Sequence, residues 1–332
     1  MADTSEPDDS IYVSSSRGTK EMLKDTLGYP FGIGRSCRRV FRTAPPAFLC
    51  VYNPHPLNAV VIRLARRFAP HGLRSIYLHE PAKPGKATYG LQGRLFFGIV
   101  EVCQRLALKA TTDVILPSPV AQDLFNTYYS DYAGKAHYAP ILIPDTPGAA
   151  GKARRYFTMT GRFNFTKRLD AFIDAVNLAA ARNEDLDFQI VTASAIDADL
   201  ARLTPAARAK TRIINKPELT DAEISQALSE SLAVLCLHPM VTQSGVLTVA
   251  FMNAAPVIAR QSPGFTQFIT HTENGWIVPD EFASCDLVDA MLAVKNNFER
   301  LSANARQSYF DLFAEKNWSA NYAWLTSRLK QT

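Results

Sequence analysis

The chain has 332 residues, 47% of them apolar and 20% charged, and carries a net charge of +5. That length exceeds one ordinary core and fits two domains, and the composition is that of a water-soluble globular protein. No apolar run reaches the length of a membrane span, and the start MADTSEPDDS is acidic and polar, unlike a signal sequence, so a cytoplasmic protein is expected.

Residues 1 to about 10 have the composition of a disordered segment. Ile11–Ser14 reads as a short strand and Glu21–Leu27 as a helix. Tyr29–Thr43, rich in glycine and arginine, reads as a loop and basic helix. Its Gly32 and Gly34 neither follow a strand nor open a helix, so it is not a dinucleotide fingerprint. From Ala47 strands alternate with helices. AFLCVY is a strand, Ala59–Phe68 a helix, Ser75–Leu78 a strand ending at His79, and Leu95–Lys109 a long helix. Asp113–Leu116, Val120–Tyr129 and Ala139–Ile143 continue as strand, helix and strand. The alternation predicts a parallel sheet covered on both faces. The run PGAAGKA at 147–153 has linker composition and marks a domain boundary.

After the linker, Tyr156–Thr160 predicts a strand, and Gly161 a tight turn. Leu169, Phe172, Ile173, Val176 and Ala180 then give a helix with one apolar face. Arg162 and Lys167 lie between strand and helix, where cations and free helix amides favour a phosphate; two solvated loop charges are the plainer alternative. Phe163 and Phe165 read as packing groups. Strands follow at Phe188–Thr192, Arg212–Ile214, Leu232–Leu237, PVIA at 256–259 and WIVP, with a helix at Asp221–Ser229 and a short one at Phe265–Ile269. In the loop VTQSG, Thr242 and Ser244 are candidate caps for the apolar helix VLTVAFMNA, leaving the amides of Gly245 and Val246 for an anion. Helices at Cys285–Val294 and Asn317–Leu329 close the chain. The five cysteines, Cys37, Cys50, Cys103, Cys236 and Cys285, form no CxxC pair, so reduced thiols and no metal site are expected.

The order of IPDT, GRFNFTK with its G-R-x4-K spacing, LTDAEI, LCLHP, PVIA with SPG, and ENGW resembles the retaining nucleotide-sugar glycosyltransferases of the GT-B fold, family four in particular. The resemblance implies an α/β protein of two Rossmann-like domains facing a cleft. The domains expected are a short basic acceptor-side domain over 1–148, a donor domain over 149–316, and a C-terminal helix over 317–332 whose return to the first domain is left open. It implies transfer of a sugar from a nucleoside-diphosphate sugar to an acceptor hydroxyl with retention, without metal and without any other cofactor, in glycan, polysaccharide or glycolipid synthesis. Arg162 and Lys167 match the cations that hold the donor diphosphate. Gly161, Gln243, Ser244, Gly245 and Val246 match the positions that surround it, and His79 matches a histidine of the first domain. His55 and His238 are read as structural.

Two departures from the family stand out. Its paired glutamates fall, with a one-residue gap, at Thr242 and Ala250, and an alanine cannot accept hydrogen bonds from a ribose. The glycine-rich first loop of the family is also not recognisable before Ala47. A non-catalytic binding protein of the same fold and a nucleotide-sugar epimerase therefore stay open as alternatives.

Charge is unevenly distributed. Arg35 to Lys109 holds thirteen basic residues against Glu80 and Glu101 alone, a local +11 in a chain of +5. This predicts a peripheral site on the inner face of an anionic membrane and a lipid-linked or acidic glycan acceptor. Nucleic acid is the less favoured partner.

Overall fold

A computed structural model describes residues 30–52, 55–81, 91–149, 153–239 and 241–330. The expected strand at 11–14, the helix at 21–27 and the disorder of the first ten residues lie outside the described residues, as does part of the linker. Contacts divide the chain into two units, residues 1–139 with 321–332, and residues 140–320.

The first unit is a parallel sheet in the order β1 (Phe48–Tyr52), β2 (Leu73–Tyr77), β3 (Asp113–Leu116) and β4 (Ala136–Tyr138). Its helices are α1 (Pro30–Thr43), α2 (Asn58–Phe68), α3 (Leu91–Ala110) and α4 (Pro119–Tyr128). All of Pro30–Thr43 is helical, Gly32 and Gly34 included, because Ile33, Cys37 and Phe41 recur four residues apart and bury one face against Leu57 and Ala65. Ser118 caps α4, its hydroxyl accepting from the Ala121 amide, and Pro119 takes the first helical position, where no amide is needed. The strand expected at 139–143 is not there. Pairing ends at Tyr138, since Pro140 has no N–H to continue the ladder, and Ile143 instead bridges to Ala314.

The second unit is a six-stranded parallel sheet in the order β10-β9-β8-β5-β6-β7. The strands are β5 (Tyr156–Thr160), β6 (Asp187–Thr192), β7 (Thr211–Asn215), β8 (Ser231–Cys236), β9 (Val257–Arg260) and β10 (Gly275–Val278). Helix α5 (Leu169–Ala181) buries Leu169, Phe172, Ile173, Val176 and Ala180, the residues whose spacing predicted it. Short helices α6 (Asp197–Leu200) and α7 (Pro205–Ala209) follow, and α8 (Asp221–Ser229) begins on a Thr220–Glu223 capping box. Next come α9 (Gly245–Met252), α10 (Pro263–Thr266), α11 (Ser284–Asn296) and α12 (Phe298–Leu312). The last of these is absent from the sequence reading, although Leu301, Ala305 and Tyr309 carry its buried stripe. The helix expected over 317–329 is broken into α13 (Trp318–Asn321) and α14 (Ala323–Leu329), and that expected at 265–269 starts two residues earlier at Pro263.

In the first unit, α14 is tied to the sheet. The Trp324 ring stacks on His137 at 3.8 Å, and both His137, at 3.1 Å, and Arg328 donate to one oxygen of the buried Asp113 carboxylate. Burial by itself would raise the Asp113 carboxyl. The hydrogen bonds from His137 and Thr112 and the charge of Arg328 outweigh it and hold the group below the usual carboxylate range. Its stabilising contribution is therefore present above that range and lost as pH falls through the lowered value. We expect Arg328→Ala to cost about 1–2 kcal/mol in urea unfolding at neutral pH. The difference from the parent should shrink in acid, as pH falls through the lowered Asp113 value and the carboxyl takes up its proton. A difference that stays constant through acid unfolding would place the effect elsewhere.

Candidate functional site

The sheet of the second unit runs one way from β5 through β6 to β7 and the other way from β8 through β9 to β10. Ligands of open parallel sheets bind at the carboxyl ends of the strands where the order reverses, because the connections there part to opposite faces. Here that point lies between the ends of β5 and β8, so the loops to inspect are those beginning at Gly161 and Leu237.

Gly161 has φ +119°, a conformation that side chains disfavour, and turns the chain at once out of β5. The Thr192 hydroxyl holds the turn by donating to the Gly161 carbonyl at 2.6 Å. The Asn164 side chain then accepts from the Thr166 amide at 3.0 Å and from its hydroxyl at 2.6 Å, and a single 3-10 turn follows over Phe165–Lys167. That turn sets the position of Lys167. Arg168 caps α5 in the left-handed region at φ 60°, and its side chain pairs with Asp170. Phe163 packs against the main core, as expected of it.

The second loop leaves β8 at Leu237. His238 is 6% exposed, and its ring meets Phe265 edge to face at 4.9 Å. The Lys167 ammonium donates to His238 Nε2 at 3.3 Å, so the two loops meet side chain to side chain. Ser244 caps α9, its hydroxyl accepting from the Leu247 amide at 3.4 Å, and helix geometry leaves the amides of Gly245 and Val246 without intrahelical acceptors. A Cβ built on Gly161 would come to 3.7 Å from Val246 Cγ2, so the glycine turn and the start of α9 touch as well. Gly264 seats the loop from behind, since a Cβ there would lie 1.8 Å from the Val241 carbonyl oxygen.

Burial, and then the charge of Lys167, push the His238 imidazole down to about 3, so it is neutral near pH 7. Burial likewise raises the Cys236 thiol to about 11 against the pull of Lys167 and of the Ser244 hydroxyl. Lys167 thus donates to a neutral ring and lies just before the positive end of α5.

The expected site residues fare unequally. Gly161, Lys167, Ser244, Gly245 and Val246 are brought together. Arg162 stands on the same turn with an exposed guanidinium that, among the described residues, makes no hydrogen bond or ion pair. The Gln243 side chain is committed elsewhere, accepting from the Ile141 amide at 3.0 Å and donating to the Ile141 carbonyl at 3.4 Å. His79 follows β2 in the first unit, half-buried, and burial lowers its imidazole against the pull of Glu80. His238, read as structural, is hydrogen-bonded to Lys167. The signal available was its position one turn of loop before the helix cap, at the end of an apolar strand. Ala250 is fully buried in the apolar cluster with Phe251, Ala255 and Tyr309.

Residues 154–297 match the family described as Glycosyl transferases group 1. None of the curated proteins matches the chain in sequence. Among solved structures, TarM of S. aureus is 13% identical with a TM-score of 0.67 over 88% of this chain. HepE of Anabaena, in complex with UDP, is 15% identical with a TM-score of 0.69, covering 88% of this chain and 82% of its own. The sucrose-phosphate synthase of Thermosynechococcus elongatus is 14% identical with a TM-score of 0.65, covering 97% and 80%. The chain spans only 58% of the length of TarM. At these identities the likeness is one of fold, and the fold is the GT-B arrangement of two Rossmann-like domains.

The burial of Ala250 has a direct consequence for the missing glutamate. Ala250→Glu should place an unpaired carboxylate in the core and cost about 3–5 kcal/mol, with no gain in nucleotide affinity. Thermal unfolding with and without UDP checks this, and tighter nucleotide binding by the variant would contradict it.

Proposed function

We propose that the protein is a retaining glycosyltransferase that moves a sugar from a nucleoside-diphosphate sugar to an acceptor hydroxyl. The carrying observation is the meeting of two loops at the point where the sheet order reverses, with Lys167 on His238 and the Gly161 turn against Val246 at the start of α9. The family match over 154–297 and the UDP and UDP-glucose complexes of the structurally similar HepE support a sugar nucleotide as donor.

Breaking the sugar–phosphate bond builds negative charge on the leaving diphosphate as the sugar becomes cation-like. In this reading Lys167 and Arg162 meet that charge together with the amides of Gly245 and Val246. All but the exposed Arg162 are held in place before reaction, so little reorganisation is needed. The side chains and amides meet the leaving-group charge without a divalent metal. The leaving phosphate takes the acceptor proton, and the acceptor oxygen bonds to the sugar carbon on the face from which the phosphate departs. His79, neutral and at the end of β2, is the candidate group of the first unit for a sugar hydroxyl. The second reading, a binding protein that keeps the fold without turnover, is favoured by Ala250 alone.

For the acceptor we propose a lipid-linked or otherwise anionic molecule met at a membrane surface. On α1, Arg35, Arg38, Arg39 and Arg42 are exposed opposite the buried Ile33, Cys37 and Phe41, and α2, which packs on it, exposes Arg63, Arg66 and Arg67. Neither helix contains an acidic residue. Ile99 and Val102 of α3 add exposed apolar surface, 50% and 59% accessible. Arg74 does not belong to this surface, because it is buried and donates to the carbonyls of Ala110 and Ala69. Each basic residue close to an anionic leaflet contributes on the order of 1 kcal/mol, so half of these seven would suffice. No described helix is long and apolar enough to cross a membrane.

Lys167→Ala and Arg162→Ala should each lower turnover of the cognate sugar nucleotide roughly 10²- to 10³-fold, with unfolding free energies within about 1 kcal/mol of the parent. Near-normal turnover in both would refute the assignment, and nucleotide binding without any transfer would favour the binding-protein reading. For the acceptor surface, co-sedimentation should occur with anionic vesicles at low salt and be lost at high salt or on neutral lipid. Binding indifferent to charge and salt, or none at all, would contradict it.

A further inference from the structure

Within the donor site proposed above, the geometry points to His238 as a positioning residue: its Nε2 holds the Lys167 ammonium in place for the donor diphosphate. The inference rests on that donor reading. A lysine ammonium sits on a flexible four-carbon stem and samples many rotamers. Lys167 leaves a single 3-10 turn, so the backbone does little to aim it beyond the turn itself. The hydrogen bond to His238 Nε2, 3.3 Å long, restricts that freedom.

The acceptor is itself fixed. His238 follows β8 after the buried Leu237, is 6% exposed, and rests edge to face against the fully buried Phe265. Accepting at Nε2 requires the tautomer with its proton on Nδ1, and burial keeps the ring neutral. A neutral acceptor matters physically. A carboxylate at this place would orient the lysine equally well but cancel the charge that the diphosphate needs, whereas imidazole orients it and leaves the charge intact. The Lys167 ammonium meets the imidazole at Nε2, and the Phe265 ring packs on it edge to face.

The test is a double-mutant cycle on the full chain, with binding of UDP, ADP and GDP and of the matching nucleosides measured by calorimetry. His238→Leu should weaken binding of the preferred diphosphate about tenfold, the loss of roughly one hydrogen bond, and leave the nucleoside within about twofold. His238→Gln, whose oxygen reaches the place of Nε2, should bind within about threefold of the parent. In a Lys167→Ala background, His238→Leu should have no further effect, because its role runs through that lysine. Additive losses, equal losses of diphosphate and nucleoside, or a folded His238→Gln as weak as His238→Leu would overturn the inference while leaving the donor site standing. A Lys167→Ala variant that binds diphosphate normally, or a parent chain that binds none of the three, overturns the donor site and this inference with it. Should His238→Leu fail to fold, His238→Asn replaces it. Its amide stops short of Nε2, so it should bind weakly where His238→Gln binds well, and equal affinity of the two would overturn the inference.

Discussion

The pairing of β5 with β8 is the contact on which the second unit depends. Tyr156, Phe157 and Thr158 run in register against Ser231, Ala233 and Val234, with one irregularity between Tyr156 and Phe157, and the hydroxyls of Thr158 and Ser231 join them at 2.6 Å. Every other strand is added outward from this pair, β6 and β7 on one side and β9 and β10 on the other. The two loops that leave the carboxyl ends of the pair are therefore neighbours, although about seventy residues of chain separate Lys167 from His238. A positive side chain, a helix start and a neutral acceptor are assembled by strand order, not by nearness in the chain.

The electrostatics follow from that assembly. Much of the second unit's basic surface is spent on carboxylates, as in Arg155 with Asp187, Arg202 with Asp174, Arg260 with Asp280 and Arg306 with Asp145. Lys167 donates to an imidazole that burial keeps uncharged. The first unit shows the opposite economy. There the arginines of α1 and α2 stand in solvent, while the buried Arg74 and the half-buried Lys135 are spent on backbone carbonyls at helix ends, where the helix dipole favours them. Charge that faces water on α1 and α2 is thus distinct from charge used to hold the fold.

Reading the sequence located the elements of the second unit more fully than the rest, for physical reasons. Strands with both faces covered read as continuous apolar runs, and glycine at a positive φ marks a turn, so Tyr156–Thr160, Gly161 and α5 were legible. Ser244 was legible as a cap because a hydroxyl before an apolar helix has few other uses. The helix Phe298–Leu312 was not, since a narrow stripe of Leu301, Ala305 and Tyr309 among many polar residues carries a weak period. Pairing at 139–143 was overestimated because apolar residues between prolines resemble a strand while Pro140 cannot donate to one.

What the sequence determined by itself is the alternation of strands and helices, the turn at Gly161, the cap at Ser244 and the basic face of the first unit, all consequences of spacing over a few residues. Only the tertiary structure decided which groups meet. Gln243, adjacent to the cap in sequence, has its amide turned to Ile141, and Ala250, where an acceptor was sought, is closed into the core. His238, read in the sequence as a structural histidine at a strand end, is placed on Lys167 by the order of strands. Strand order is set by packing between elements far apart in the chain, which local periodicity does not record.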